Sequence, residues 1–155
     1  VYAAREGNEL NLQTGHQVAE MPLNYLGYTV DYARVDEPLP AAPLNGRYAA
    51  IVSWLSGEEA RGTDFPRWLK MQLEQGMRYV ALEGFGFTPD PQLLELLGLE
   101  AVAGSGNGPV QIAHREPIVG FEHEPVMPAA AFGGYRVAAA SGGRRSRCWR
   151  EAATR

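Results

Sequence analysis

Apolar and polar positions alternate along this chain in two rhythms, one of period two and one near 3.6. Val1-Tyr2-Ala3-Ala4 is short and β-compatible, and Arg5-Glu6-Gly7-Asn8 breaks it with a turn. Between residues 12 and 26, Val18, Met21 and Tyr25 recur at helical spacing with Leu26 beside them. Gly27 supplies a C-cap, and Pro22 predicts that the helix is kinked or divided. Residues 28–35 alternate as a strand with one wet side, the pattern of a sheet edge. Pro38, Pro40 and Pro43 mark an extended connection. Residues 48–55 are nearly continuously apolar, as a strand buried on both faces reads.

After a polar loop from Gly57, Asp64 is placed to cap a helix over 65–75, with Pro66 tolerated in its first turn. Trp68, Met71 and Leu73 supply much of its apolar face, and Gly76 ends it. Residues 77–82 read as a second buried strand. The glycine-rich turn Glu83-Gly84-Phe85-Gly86-Phe87 follows, then a short helix over 89–97 closed by Gly98. The order β-α-β-β-α-β-α predicts a mainly parallel sheet covered by helices. Beyond Gly98 the pattern weakens. Residues 104–109 read as a loop, and 110–114, 118–121 and 135–140 as short strands. One α/β domain is expected over 1–140, followed by a basic flexible tail over 141–155.

Composition narrows the function classes. The chain has 155 residues, 45% of them hydrophobic and 21% charged, which is the profile of a globular domain. No run approaches the roughly 20 apolar residues of a membrane helix, so no membrane span is expected. With 14 basic and 18 acidic residues the net charge is −4, which argues against a nucleic-acid partner. Positive charge gathers in the tail, where Arg144, Arg145, Arg147, Arg150 and Arg155 face one acid, Glu151. Cys148 is the single cysteine, so neither an intrachain disulfide nor a cysteine zinc site is expected. The start at Val1 reads as the interior of a longer protein.

In parallel sheets the ligand crevice lies beyond the carboxyl ends of the strands. Three loops are expected to meet there. They carry the candidates Arg5, Glu6 and Asn8, then Ser53 and Trp54, then Glu83, Gly84 and Phe85. The last of these loops is the strand-to-helix elbow where related hydrolases hold a nucleophile. Here it holds Phe85, which cannot attack anything, so no catalytic residue is assigned. Gly84-Phe85-Gly86 is not a dinucleotide fingerprint, because Pro89 stands where the third glycine belongs. The loop after the first strand lacks the Ser/Thr cluster that cradles a flavin phosphate, and no cofactor is expected. No metal site is expected either. His16, His114 and His123 show no ligand spacing, and Glu122-His123-Glu124 alternates across two faces if extended. Trp54, at a strand end beside the crevice, has two readings: a core residue, or an aromatic plate that suits a sugar or flavin ring. The other aromatics, Tyr25, Tyr28, Tyr32, Phe65 and Trp68, are expected in core and edge packing.

Three stretches carry a resemblance: Met21-Pro22-Leu23-Asn24-Tyr25-Leu26-Gly27-Tyr28, Tyr48-Ala49-Ala50-Ile51-Val52-Ser53-Trp54, and Gly76-Met77-Arg78-Tyr79-Val80-Ala81-Leu82-Glu83-Gly84-Phe85-Gly86. Over roughly residues 1–125 the chain resembles the flavodoxin-like or amidotransferase-like middle domain of PelA-type proteins. Those are multidomain bacterial proteins that hydrolyse and deacetylate an amino-sugar exopolysaccharide. The resemblance implies a three-layer α/β domain of flavodoxin or class I amidotransferase type. It implies a periplasmic or secreted location, with neighbouring domains of the parent chain and an amino-sugar polysaccharide as partners. In that family the catalytic residues belong to other domains, so none is carried onto this chain. The expectation is a non-catalytic accessory or glycan-binding domain. The alternative is a small-molecule or flavin-binding enzyme domain using the same crevice.

Overall fold

The computed structural model describes residues 1–4, 9–106, 110–111, 132–138 and 150–151. The chain is α/β and divides into two compact units, Val1–Asp90 and Pro91–Arg155.

The first unit is built on a parallel pair of strands, β1 (Ile51–Leu55) and β2 (Tyr79–Glu83), in register from Ile51 opposite Tyr79 to Leu55 opposite Glu83. The chain start joins them. Tyr2 makes parallel single-residue pairings with Trp54 on one side and Arg34 on the other. Trp54 donates its amide to the Val1 carbonyl at 3.0 Å, Tyr2 donates to Ala33 at 3.1 Å, and Val35 donates back to Tyr2 at 2.9 Å. The expected strand over 28–35 is therefore paired only around Arg34, where this bonding is available.

Between Tyr2 and Arg34 the chain runs through a 3-10 turn, Leu10–Leu12, a π turn, His16–Glu20, and helix α1, Met21–Tyr25. Pro22 has no amide to give the Val18 carbonyl. The helix answers by widening into the π turn just before it, which is the form the expected division takes. Gly27, at φ 86°, ends α1 in a Schellman motif. Its amide reaches Asn24 at 2.9 Å and that of Tyr28 reaches Leu23 at 3.0 Å. The direction of the apolar stripe departs from expectation. Val18, Met21, Tyr25, Leu26 and Tyr28 face solvent. The half-buried side instead carries His16 and Glu20, tied to Tyr32. Tyr25 and Tyr28 are therefore not core residues, as their aromatic character had implied.

Helix α2, Phe65–Glu74, buries Phe65, Trp68, Leu69 and Gln72. Asp64 does not cap it; the Thr63 hydroxyl accepts the Phe65 amide at 3.3 Å instead, leaving Asp64 to pair with Arg67. Gln72 is the polar centre of this packing. Its Oε1 accepts the Leu44 amide at 2.9 Å and its Nε2 donates to the Ala42 carbonyl at 3.1 Å, so the proline-rich connection is pinned to the helix from inside. Trp68 adds a second pin by donating Nε1 to the Pro40 carbonyl at 2.7 Å. Strand β2 is less buried than its apolar run predicts, because Val80 and Ala81 are exposed.

The second unit contains α3 (Pro91–Leu97), β3 (Leu99–Gly106), β4 (Val110–Gln111), β5 (Phe132–Val137) and β6 (Arg150–Glu151). Gly98, at φ 66°, turns α3 into β3. Strands β3 and β5 pair antiparallel with a register shift between Val102 and Ser105, and β4 pairs antiparallel with β6. Glu100 and Arg136 face each other across the first ladder and bond at 2.8 Å. The stretch read as a loop from residue 104 thus begins as the end of β3. The strand expected over 135–140 begins within β5, at Tyr135–Val137, and that expected over 110–114 begins as β4; the one expected over 118–121 lies outside the described residues.

Candidate functional site

Trp54 is the next-to-last residue of β1 and pairs with Tyr2 of the chain start. It lines a small cavity of about 10 Å³ together with Tyr2, Ala3, Gln13, Thr14 and Gly15. That volume is close to the minimum that holds one water molecule. The indole Nε1 of Trp54 is buried and has no hydrogen-bond partner among the described residues. A buried unpaired donor costs about 1–3 kcal/mol, so a polar atom entering here gains a ready partner. Gly15 lets the helix approach: a Cβ at this position would stand 3.3 Å from the Trp54 Cβ. Gln13 is buried and donates Nε2 to the Glu9 carbonyl at 3.2 Å, which fixes the turn that leads into the cavity wall.

A polar cluster lies on the same helical turn. The Tyr32 hydroxyl donates to Glu20 Oε2 at 2.7 Å and meets His16 Nδ1 at 3.1 Å, and His16 is itself paired with Glu20. Tyr32 also packs edge-on against Tyr2, with ring centroids 6.2 Å apart. Partial burial and then the Glu20 carboxylate hold the Tyr32 hydroxyl well above the ordinary phenol range. It therefore stays protonated and serves as a donor that orients Glu20.

The other candidates are placed differently. Ser53 is fully buried, and its hydroxyl shares a 2.7 Å hydrogen bond with the Tyr79 hydroxyl. Burial pushes Tyr79 up to about 12, against a smaller opposing effect of the Ser53 hydrogen bond. The elbow after β2 folds back across the end of β1. Glu83 adopts φ 67°, a left-handed conformation that strains a side-chain-bearing residue. Gly84 then bridges Leu55 in antiparallel fashion. Phe85 turns into the core, stacked at 6.0 Å on Tyr79 and meeting Phe87 at 6.0 Å; Phe87 meets Phe65 at 6.1 Å, and Phe65 meets Trp68 at 6.0 Å. The elbow thus anchors β2 to α2. Arg5, Glu6 and Asn8 lie outside the described residues. Among the described residues no cluster of His, Cys, Asp and Glu has the makings of a metal site, and no helix is long and apolar enough to cross a membrane.

Of the residues nominated from sequence, only Trp54 meets the cavity. Tyr2, Gln13, Thr14 and Gly15 were missed. The expectation that the loop after the first strand faces the crevice was the signal that could have extended to them. No family model, no curated protein and no solved structure matches this chain.

Proposed function

We propose that this chain is a non-catalytic accessory domain of a secreted, PelA-type exopolysaccharide-modifying protein, with a flavodoxin-like three-layer fold. One observation carries the reading. Phe85, at the elbow where related enzymes hold a nucleophile, is buried in an aromatic chain running from Tyr79 to Trp68. Chemistry at that position has neither a reactive atom nor access. The fold assignment is supported by strand neighbours. The Arg34 segment, the Tyr2 segment, β1 and β2 lie side by side, all parallel, in the chain order 2-1-3-4. That is the beginning of the flavodoxin-like order, and its ligand site lies where the order reverses, between the first and third strands. The pairing of Tyr2 with Trp54 across those two segments supports reading the site there.

The partner in this reading is an amino-sugar polymer, a single hydroxyl or amide group of which suits the unpaired indole N–H of Trp54 in a cavity the size of one water molecule. Neighbouring domains of the parent chain are the second partner class. Thermal unfolding with added ligands tests the glycan contact, because a ligand bound only to the folded state raises the midpoint. Amino-sugar oligosaccharides should raise it, and Trp54→Ala, checked for folding by circular dichroism, should abolish the rise. A rise with FMN and none with oligosaccharides would contradict the proposal and move the chain to the cofactor-binding class.

A further inference from the structure

The side of the helical segment turned away from Tyr32 carries an exposed apolar stripe. Val18, Met21 and Tyr25 follow one another at spacings of three and four, and Leu26 and Tyr28 come just past the helix end. Tyr25 is 91% exposed and Met21 74%, and Val18, Leu26 and Tyr28 are each about half exposed. Scattered exposed apolar residues need no explanation, but a contiguous patch of several hundred Å² does. We infer that this stripe is the contact face of a homodimer, in which the helical segments of two copies of the chain pack against each other across a twofold axis.

Area, charge and residue type argue for a second copy. The exposed portions of the five side chains amount to on the order of 700 Å², close to the ~800 Å² per partner of a standard stable interface. A twofold contact sets each patch against itself, so an uncompensated charge within it would meet its own like. None of the five residues is charged; within the segment His16 and Glu20 pair with each other, and of the acids at its two ends, Glu9 and Asp31, Asp31 accepts the Tyr48 hydroxyl. Tyrosine and methionine are also the residue types enriched at the centres of interfaces. The Schellman motif at Gly27 brings Tyr28 back alongside the end of the helix, widening the stripe into a surface. The inference does not rest on the glycan reading, since the stripe is separate from the cavity at Trp54.

Sedimentation equilibrium of the whole 155-residue chain tests it. The native protein should sediment at twice its 16.9 kDa subunit mass. The double variant Met21→Glu, Tyr25→Glu should sediment at the subunit mass, with unchanged circular dichroism. Both positions are exposed, so the substitutions leave the subunit's own packing intact. A second variant guards against a trivial loss of assembly: in a Cys148→Ser background, Val18→Cys should be joined between copies by a bismaleimide cross-linker, at a rate that falls at least about tenfold when the double substitution is added. A native chain that stays monomeric at about 100 μM, well above the dissociation constants of stable dimers, would overturn the inference. So would a dimer that survives the double substitution.

Discussion

Gly86→Ala should lower the stability of the first unit by about 3 kcal/mol, the larger of the two main effects anticipated here. Two independent costs meet at this residue. The backbone is at φ +74°, where an L side chain strains by roughly 1–2 kcal/mol. A Cβ there would also stand 2.7 Å from the Leu55 Cβ, and Leu55 is fully buried at the end of β1 with no room to yield. Relieving such overpacking typically costs another 1–3 kcal/mol. The amide of Ala60 donates to the Gly86 carbonyl at 2.7 Å, so a shift of this residue also pulls on the loop before α2. Gly62→Ala isolates the first cost. Gly62 has a similar φ of +76°, but nothing lies within 4 Å of its added methyl. Urea unfolding of the two variants should therefore separate them by about 2 kcal/mol, with unchanged m-values. Equal losses would mean that Leu55 and the elbow are not packed as described.

The second large effect is a loss of stability at alkaline pH that depends on Tyr79. Burial raises its phenol from the ordinary 10 to about 12. A group whose folded-state value is raised contributes stability in its protonated form. That contribution is complete below pH 10 and is lost as pH rises from 10 to 12. Two units correspond to about 2–3 kcal/mol. The Tyr32, Tyr48 and Tyr135 hydroxyls are also raised, so the quantity to measure is the difference between native protein and Tyr79→Phe. The variant should show a shallower decline above pH 10. At pH 7 it should already be less stable by about 1–2 kcal/mol, because the Ser53 hydroxyl is left buried without its partner. Adding Ser53→Ala should recover most of that neutral-pH loss, since removing both partners leaves no unsatisfied group. Parallel alkaline declines for native and Tyr79→Phe proteins would show that the phenol is not buried against Ser53.

Local structure was the most legible part of this sequence, and direction the least. Gly27, Gly76 and Gly98 end helices where the residue type says they should, because a positive φ is a local requirement that glycine meets. Strand β1 was readable because one of its faces, Ile51, Ser53 and Leu55, is buried and the other, Val52 and Trp54, is half-buried, so none of its five positions is fully exposed. The 3.6-residue period placed Val18, Met21 and Tyr25 on one face but is silent on which way that face points. The buried side is set instead by Tyr32, far along the chain, which takes up His16 and Glu20. Buried polar residues failed for the same reason. Nothing near Gln72 or Ser53 announces the partners at Leu44, Ala42 and Tyr79 that make their burial affordable. Thr63 displaced Asp64 as the cap by one residue, within the usual uncertainty of helix ends. Strand β3 was missed because its sequence, Leu99-Glu100-Ala101-Val102-Ala103-Gly104-Ser105-Gly106, is poor in the branched and aromatic residues that mark strands. At the site, Trp54 stood out by its type and position. Gln13, Thr14 and Gly15 join it only because the helix returns beside the first strand.

Whether this domain performs chemistry of its own is tested most directly by turnover. The purified chain should be incubated with chromogenic esters, amides and glycosides and with acetylated amino-sugar oligosaccharides. A domain whose elbow buries Phe85 in its core should release no product above the buffer rate. Turnover above background that is abolished by Ser53→Ala or by substitution of Glu83 would contradict the accessory-domain reading and place an active site at the carboxyl ends of β1 and β2.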